Sequence, residues 1–245
     1  MKYLFTISAF FIMSLAVNAQ RDSSLNGLFK KANSIFNSRK SSGGGGLSSA
    51  DIASGLKDAL ALGAEKSTSR LSSADGFFKD AAVKILMPPE VSKVQTKLQM
   101  LGLGSLVDNA VLSMNRAAED ASKSAAPIFL QAIKGMSIKD ALSILKGSDT
   151  SATSYLRSST LTQLSAAFAP IIQASLKKVD ATKYWTDVFT AYNRFSLNKV
   201  DTDINSYVAN KALNGIFYYV AQEEKNIRAN PAARATDILK KVFGN

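Results

Sequence analysis

Two stretches of the 245-residue chain carry side chains whose types and spacing could do chemistry. The first, SMNRAAEDASKSAAP at residues 113–127, sets Asn115, Arg116 and Glu119 among small residues. A carboxamide, a guanidinium and a carboxylate within about one helical turn could hold a polar ligand. They could equally form a solvated stripe in which Arg116 pairs with Glu119 or Asp120 at i+3 and i+4. The second, KYWTDVFTAYNRF at 183–195, places Tyr184, Val188, Tyr192 and Phe195 on one helical face with Trp185 and Phe189 beside it. An aromatic stripe at this spacing ordinarily packs in a core. Read functionally, Tyr184 and Trp185, with Asp187 nearby, line a groove for a ligand or partner. Arg234 is the further candidate for this groove or polar network. Were Glu119 and Asp187 to face each other across a cleft, they would supply the two carboxylates of glycoside cleavage.

Other chemistries are removed by composition. The chain contains no His and no Cys, which excludes imidazole acid–base work, Ser-His-Asp triads, thiol nucleophiles and His- or Cys-ligated metals. There is no phosphate-cradling G-x-x-x-x-G-K-[ST] run. The S-x-x-K spacings at Ser54/Lys57, Ser143/Lys146, Ser175/Lys178 and Ser196/Lys199 lack the companion motifs of a Ser–Lys enzyme and read as coincidence on helix surfaces. Asp201-Thr202-Asp203 could invite a hard cation, but acids at a helix start are ordinary capping residues. The sequence therefore points to no cofactor and no metal, and away from an enzyme.

Positioning such residues falls to an all-α scaffold. MKYLFTISAFFIMSLAVNAQ has Lys2, an apolar run from Leu4 to Val17 and a Val17-Asn18-Ala19 cleavage site, the pattern of a signal peptide over 1–19. Its apolar run is shorter than the roughly 20 residues of a membrane anchor. No Cys follows it for lipid attachment, and the mature chain offers no transmembrane stretch. Residues 23–37 space Leu25, Leu28, Phe29, Ala32, Ile35 and Phe36 helically, with Lys30 and Lys31 opposite, and Gly43–Gly46 follow as a tether. Residues 20–46 thus form a short basic amphipathic helix plus linker. It could dock through Leu25, Phe29 and Phe36 on the protein or a partner, or be drawn by Lys30 and Lys31 to an anionic membrane over 23–40.

The main domain is expected over 47–245. Ser48 with Asp51 and Ser137 with Asp140 are capping boxes, and Ile52, Leu56, Leu60 and Ala64 share a face. Residues 74–89, with the Asp75-Gly76 turn and Pro88-Pro89, read as an ordered strap, strand-like at Val83–Leu86. Helices are expected over 89–101, 106–122, 127–134, from Ser137 to before Gly147, from Asp149 to Arg157, 160–178, 181–195, from Asp201 to about Arg228, and from Asn230-Pro231 to Gly244. That makes about ten in one multi-helix domain. On a wheel, Val107, Ala110, Val111, Met114, Ala117, Ala118, Ala121 and Ala125 form a close-packing seam, with Asp108, Asn115 and Glu119 on its flank. Gly215, inside a helix apolar nearly all round, implies a neighbouring helix crossing closely. Glu223, Glu224, Lys225 and Arg228 read as that helix's wet end.

GLSSADIASGLKDAL, SMNRAAE, PIFLQAIKGMSIKDALSILKG, KYWTDVFTAYN and YVANKALNGIFYYVAQEEKNIRANPAARATDILKKVFG together resemble the exported bacterial proteins grouped as domain of unknown function 4197. The resemblance spans about Leu47 to Gly244 and implies a helical exported protein, periplasmic in a Gram-negative cell or secreted, with no catalytic residues to carry over. The formal charge of +11 is dispersed, so no nucleic acid is expected as partner. The expectation is a non-enzymatic binding or structural protein of the cell envelope, with an envelope protein or a small hydrophobic ligand as partner. The alternatives are a carboxylate-based hydrolase acting on a polysaccharide, and a binder of anionic polymer or membrane through basic residues.

Overall fold

A computed structural model describes residues 48–89, 95–96, 99–100, 102, 104–178, 182, 185–186, 189–190, 193–194, 197, 199 and 203–229. Among them lie six helices and no strand: α1 (Ser49–Ser72), α2 (Gly104–Ser122), α3 (Ala125–Gly135), α4 (Ile138–Lys146), α5 (Ser151–Lys177) and α6 (Ile204–Ala229). The all-α class holds. Six is the count among the described residues alone, since some of the ten or so expected helices lie wholly or partly outside them. The signal peptide, the arm and the C-terminal helix are among those outside.

Local chemistry sets most boundaries. Ser48 Oγ accepts from the Asp51 N–H at 3.2 Å while the Asp51 carboxylate accepts from the Ser48 N–H at 3.3 Å, which starts α1. The same reciprocal pair at Ser137 and Asp140 starts α4, and the Gly147 N–H closes it on the Ile144 carbonyl at 3.1 Å. The largest departure is α5, a single helix where a short one to Arg157 and a longer one over 160–178 are expected. The Ser158-Ser159-Thr160 run does not cap a new helix. Ser158 and Ser159 donate their hydroxyls to the Tyr155 carbonyl, and Thr160 donates to Leu156 at 2.6 Å. Such back-bonding occupies the oxygens that would have accepted from a new first turn. Asp149 is not the cap either, since the residue before α5 is Thr150.

α5 packs against α6, α2 packs against both, and α1 lies against α3, α4 and α6. The seam on α2 is as expected: Met114, Ala117, Ala118 and Ala121 are fully buried. Phe129 of α3 meets Phe217 of α6 edge-on at 5.7 Å. Phe168, Leu164 and Leu156 of α5 complete the same core. Each fully buried Leu- or Phe-sized side chain contributes about 1.5–3 kcal/mol.

The strap, residues 73–89, begins with a tight turn in which Asp75 takes φ 67°. At Gly76 a Cβ would lie 2.4 Å from the Arg70 carbonyl oxygen, so only glycine fits. Phe77, Val83 and Ile85 then point inward. A Cβ on Gly215 would lie 2.7 Å from the Phe77 ring and 3.3 Å from Val83 Cβ. The close neighbour of Gly215 is therefore the strap, not a helix. A bulky aromatic fits against the missing side chain.

Candidate functional site

The strap's irregular stretch at 84–88 has no strand beside it among the described residues, yet its buried backbone groups still need partners. Asn115 of α2 provides them. Its carboxamide oxygen accepts from the Ile85 N–H at 2.8 Å, and its amide donates to the Ile85 carbonyl at 2.8 Å. One side chain thus replaces both bonds of a β-bridge. That pairing stands in for a strand over 84–86, while Val83 belongs to the turn before it, bonded to the Asp80 carbonyl at 3.2 Å. One turn on, Glu119 Oε1 accepts from the Phe77 and Phe78 N–H groups at 3.0 and 3.1 Å, and Oε2 from Arg116 Nη1 at 2.6 Å. Arg116 donates also to Asp75 at 2.7 Å, and Lys79 pairs with the same Asp75 at 2.8 Å.

Asn115 and Glu119 are 0% and 3% exposed, which rules out the solvated stripe. Hydrogen bonds from Lys79 and Arg116 hold the Asp75 carboxyl below the usual carboxylate range. Those that Arg116 gives to Glu119 and Asp75 raise its own pKa further.

The outer edge of the strap has a second latch. Asp80 Oδ2 accepts from Arg70 at 2.9 Å and from the Tyr219 hydroxyl, while Oδ1 accepts from the Ala82 N–H at 3.0 Å. Burial pushes the Asp80 carboxyl up, but these bonds together outweigh it and hold the group below its ordinary value. Burial, then the bond to Asp80, pushes the Tyr219 phenol up to about 12. Tyr207 closes the far end by donating to the Leu86 carbonyl at 2.7 Å. An open depression of about 420 Å³ lies over this region, and its charged lining is already paired, Arg70 with Asp80 and Lys79 with Asp75.

Trp185 is 3% exposed, with Phe189 and Tyr207 at ring distances of 4.3 and 5.4 Å. Tyr207, against which it packs, bonds the strap at the Leu86 carbonyl, and the buried Trp185 and Phe189 follow the core reading. Tyr184, Asp187 and Arg234 lie outside the described residues, as do Leu25, Phe29, Lys30, Lys31 and Phe36. Asp203 accepts from the Asn205 N–H at 2.9 Å and from Ser206 at 2.7 Å, the capping role expected of it.

Sequence reasoning missed a second carboxylate. Glu224, expected at a wet end, is 4% exposed and accepts from the Ala152 and Thr153 N–H groups at 2.9 and 2.8 Å and from the Thr153 hydroxyl at 2.8 Å. It caps α5 from another helix. Arg228 donates to it at 3.0 Å and reaches on to the Ile144 carbonyl at 2.8 Å, at the last turn of α4. Glu224 falls between Val220 and Ile227 on the apolar stripe of α6, the one signal that could have revealed it.

The family model described as a protein of unknown function, DUF4197, matches residues 46–244, and the chain belongs to that family. No curated protein and no solved structure matches the chain. No described helix is long and apolar enough to cross a membrane.

Proposed function

We propose that this family member is an exported protein of the bacterial envelope, periplasmic in a Gram-negative cell, that acts by binding or structural association rather than catalysis. The observation that carries the non-catalytic part is that Glu119 and Glu224, the buried carboxylates among the described residues, are both fully engaged. Glu119 has both oxygens filled by backbone N–H groups and Arg116, and Glu224 by two N–H groups, a hydroxyl and Arg228. A general acid or base must offer a free oxygen within hydrogen-bond reach of its substrate. In a chain with no His or Cys, carboxylates would have to do most of that work, and these two hold the fold instead. Export rests on Lys2, the apolar run Leu4–Val17 and the Val17-Asn18-Ala19 site.

The test is osmotic-shock extraction of the source cell followed by native mass spectrometry. We expect a chain beginning near Gln20 in the periplasmic fraction, carrying a non-covalent partner and turning over no envelope polysaccharide. Retention of residues 1–19 in a cytosolic protein would overturn the location, and release of sugar would overturn the non-catalytic role.

A further inference from the structure

Along the outward side of α6, the exposed residues recur as Lys211, Asn214, Tyr218, Gln222 and Lys225. At 1.5 Å per residue this stripe is about 21 Å long. It contains no acid: Glu223 turns to Lys66 at 2.8 Å, and Glu224 is buried. Arg157 of α5 lies beside it. Its guanidinium sits 4.4 Å from the centre of the Phe217 ring and donates to Asn214 Oδ1 at 3.1 Å. Both partners are neutral, so the group is held in place without its charge being cancelled. The Lys211 ammonium likewise stands 5.6 Å over the Tyr207 ring. Lys66, Arg70, Lys79, Arg116 and Lys123, by contrast, each pair with a carboxylate.

Tyr218 is the aromatic of this stripe, 43% exposed, with its ring edge-on to Tyr219 at 5.2 Å. Tyr219 is anchored on Asp80, so the exposed ring has a fixed support.

We infer that this face docks a linear polysaccharide bearing carboxylate groups. An exposed phenol ring offers a stacking surface to the apolar face of a sugar, and the Asn214 and Gln222 amides can both donate to and accept from hydroxyls. The Arg157 fork matches a carboxylate, and Lys211 and Lys225 extend the positive charge along the chain. A lipid surface would want several apolar side chains to insert, and among the described residues of α6 Tyr218 is the one large exposed apolar side chain. A nucleic-acid duplex would want a denser row of cations. The inference deepens the envelope-binding reading by naming the partner's chemistry, and rests on it for where that partner is met.

The test is calorimetric titration of the full chain with oligogalacturonate, set against a neutral dextran oligosaccharide, a DNA duplex and anionic phosphatidylglycerol vesicles. Oligogalacturonate should bind and dextran should not. Arg157→Gln, Arg157→Lys and Tyr218→Ala should each weaken binding by about tenfold, while Tyr218→Phe keeps it. Lys139→Gln, which makes the same charge change on α4, should leave it unaltered. Helical circular dichroism of each variant confirms that the fold is kept. No binding of oligogalacturonate, equal weakening by Lys139→Gln, or tighter binding of DNA or vesicles would overturn the inference. A periplasmic protein that binds no oligogalacturonate loses this face but keeps its envelope role; a cytosolic one that binds loses only the location.

Discussion

Glu119 and Glu224 are both buried on a core helix, both accept two backbone N–H groups from a distant segment, and both have an arginine about one turn away. They differ in what they hold. Glu119 ties down an irregular strap, and the Arg116 side chain beside it is 42% exposed. Glu224 receives the first N–H groups of a 27-residue helix, where the macrodipole adds to the hydrogen bonds, and its Arg228 side chain is 13% exposed. Arg228 also satisfies carbonyls at the end of α4, so one ion pair joins three helices. The same pairing is a local latch when half wet and a joint of the whole domain when dry.

The difference can be broken or sharpened by substitution. Glu224→Ala removes the carboxylate that faces a largely buried guanidinium and two backbone N–H groups, and should cost about 3–5 kcal/mol in urea unfolding. Glu119→Ala leaves Arg116 its bond to Asp75 and should cost about 2–3 kcal/mol. Equal costs would show that burial of the arginine is not what separates the two sites. Asn115→Leu removes both partners of the Ile85 backbone and should cost about 2 kcal/mol. Amide exchange should quicken at Ile85, Phe77 and Phe78 while α5 and α6 stay protected, and quickening along α5 would mean that the strap is no separate unit.

Gly215→Ala should be destabilising by about 1 kcal/mol despite its better helix propensity, because the new methyl meets Phe77. A gain in melting temperature would mean that the strap yields easily. Tyr219→Phe should cost about 1 kcal/mol near neutrality. Because folding raises the Tyr219 pKa, its contribution is complete below the unfolded value near 10 and fades as pH rises through about 12. The wild type should therefore lose more stability over that alkaline range than the Phe variant does. Asp75 and Asp80 are shifted the other way, so their contribution is complete above about pH 4 and lost below it. A strap whose exchange is flat across both ranges would contradict the outer latch.

What could be read from sequence followed from local rules. The Ser48–Asp51 and Ser137–Asp140 boxes need only three residues of context, and each starts its helix as expected. The alanine seam on α2 follows from periodicity, and so does the place of Asn115 and Glu119 on its flank. Their covering does not, because it comes from N–H groups 30 to 42 positions away in a segment of no regular period. Glu224 was misread for a related reason: a Glu-Glu-Lys cluster looks wet until the backbone it satisfies is known. The hydroxyls of Ser158, Ser159 and Thr160 look like helix starters and act instead as back-bonded passengers. Gly215 signals a close approach, but the neighbour is the strap and not the crossing helix expected.

The bond from Ala152 to Glu224 spans 72 residues. At synthesis rates of about 5–20 residues per second, the start of α5 waits on the order of 4–14 s before its cap emerges. Through that interval the α4–α5 corner has neither the carboxylate nor the arginine that later join it to α6. The corner of α4 and α5 therefore closes only after α6 has been made, rather than as each preceding helix emerges.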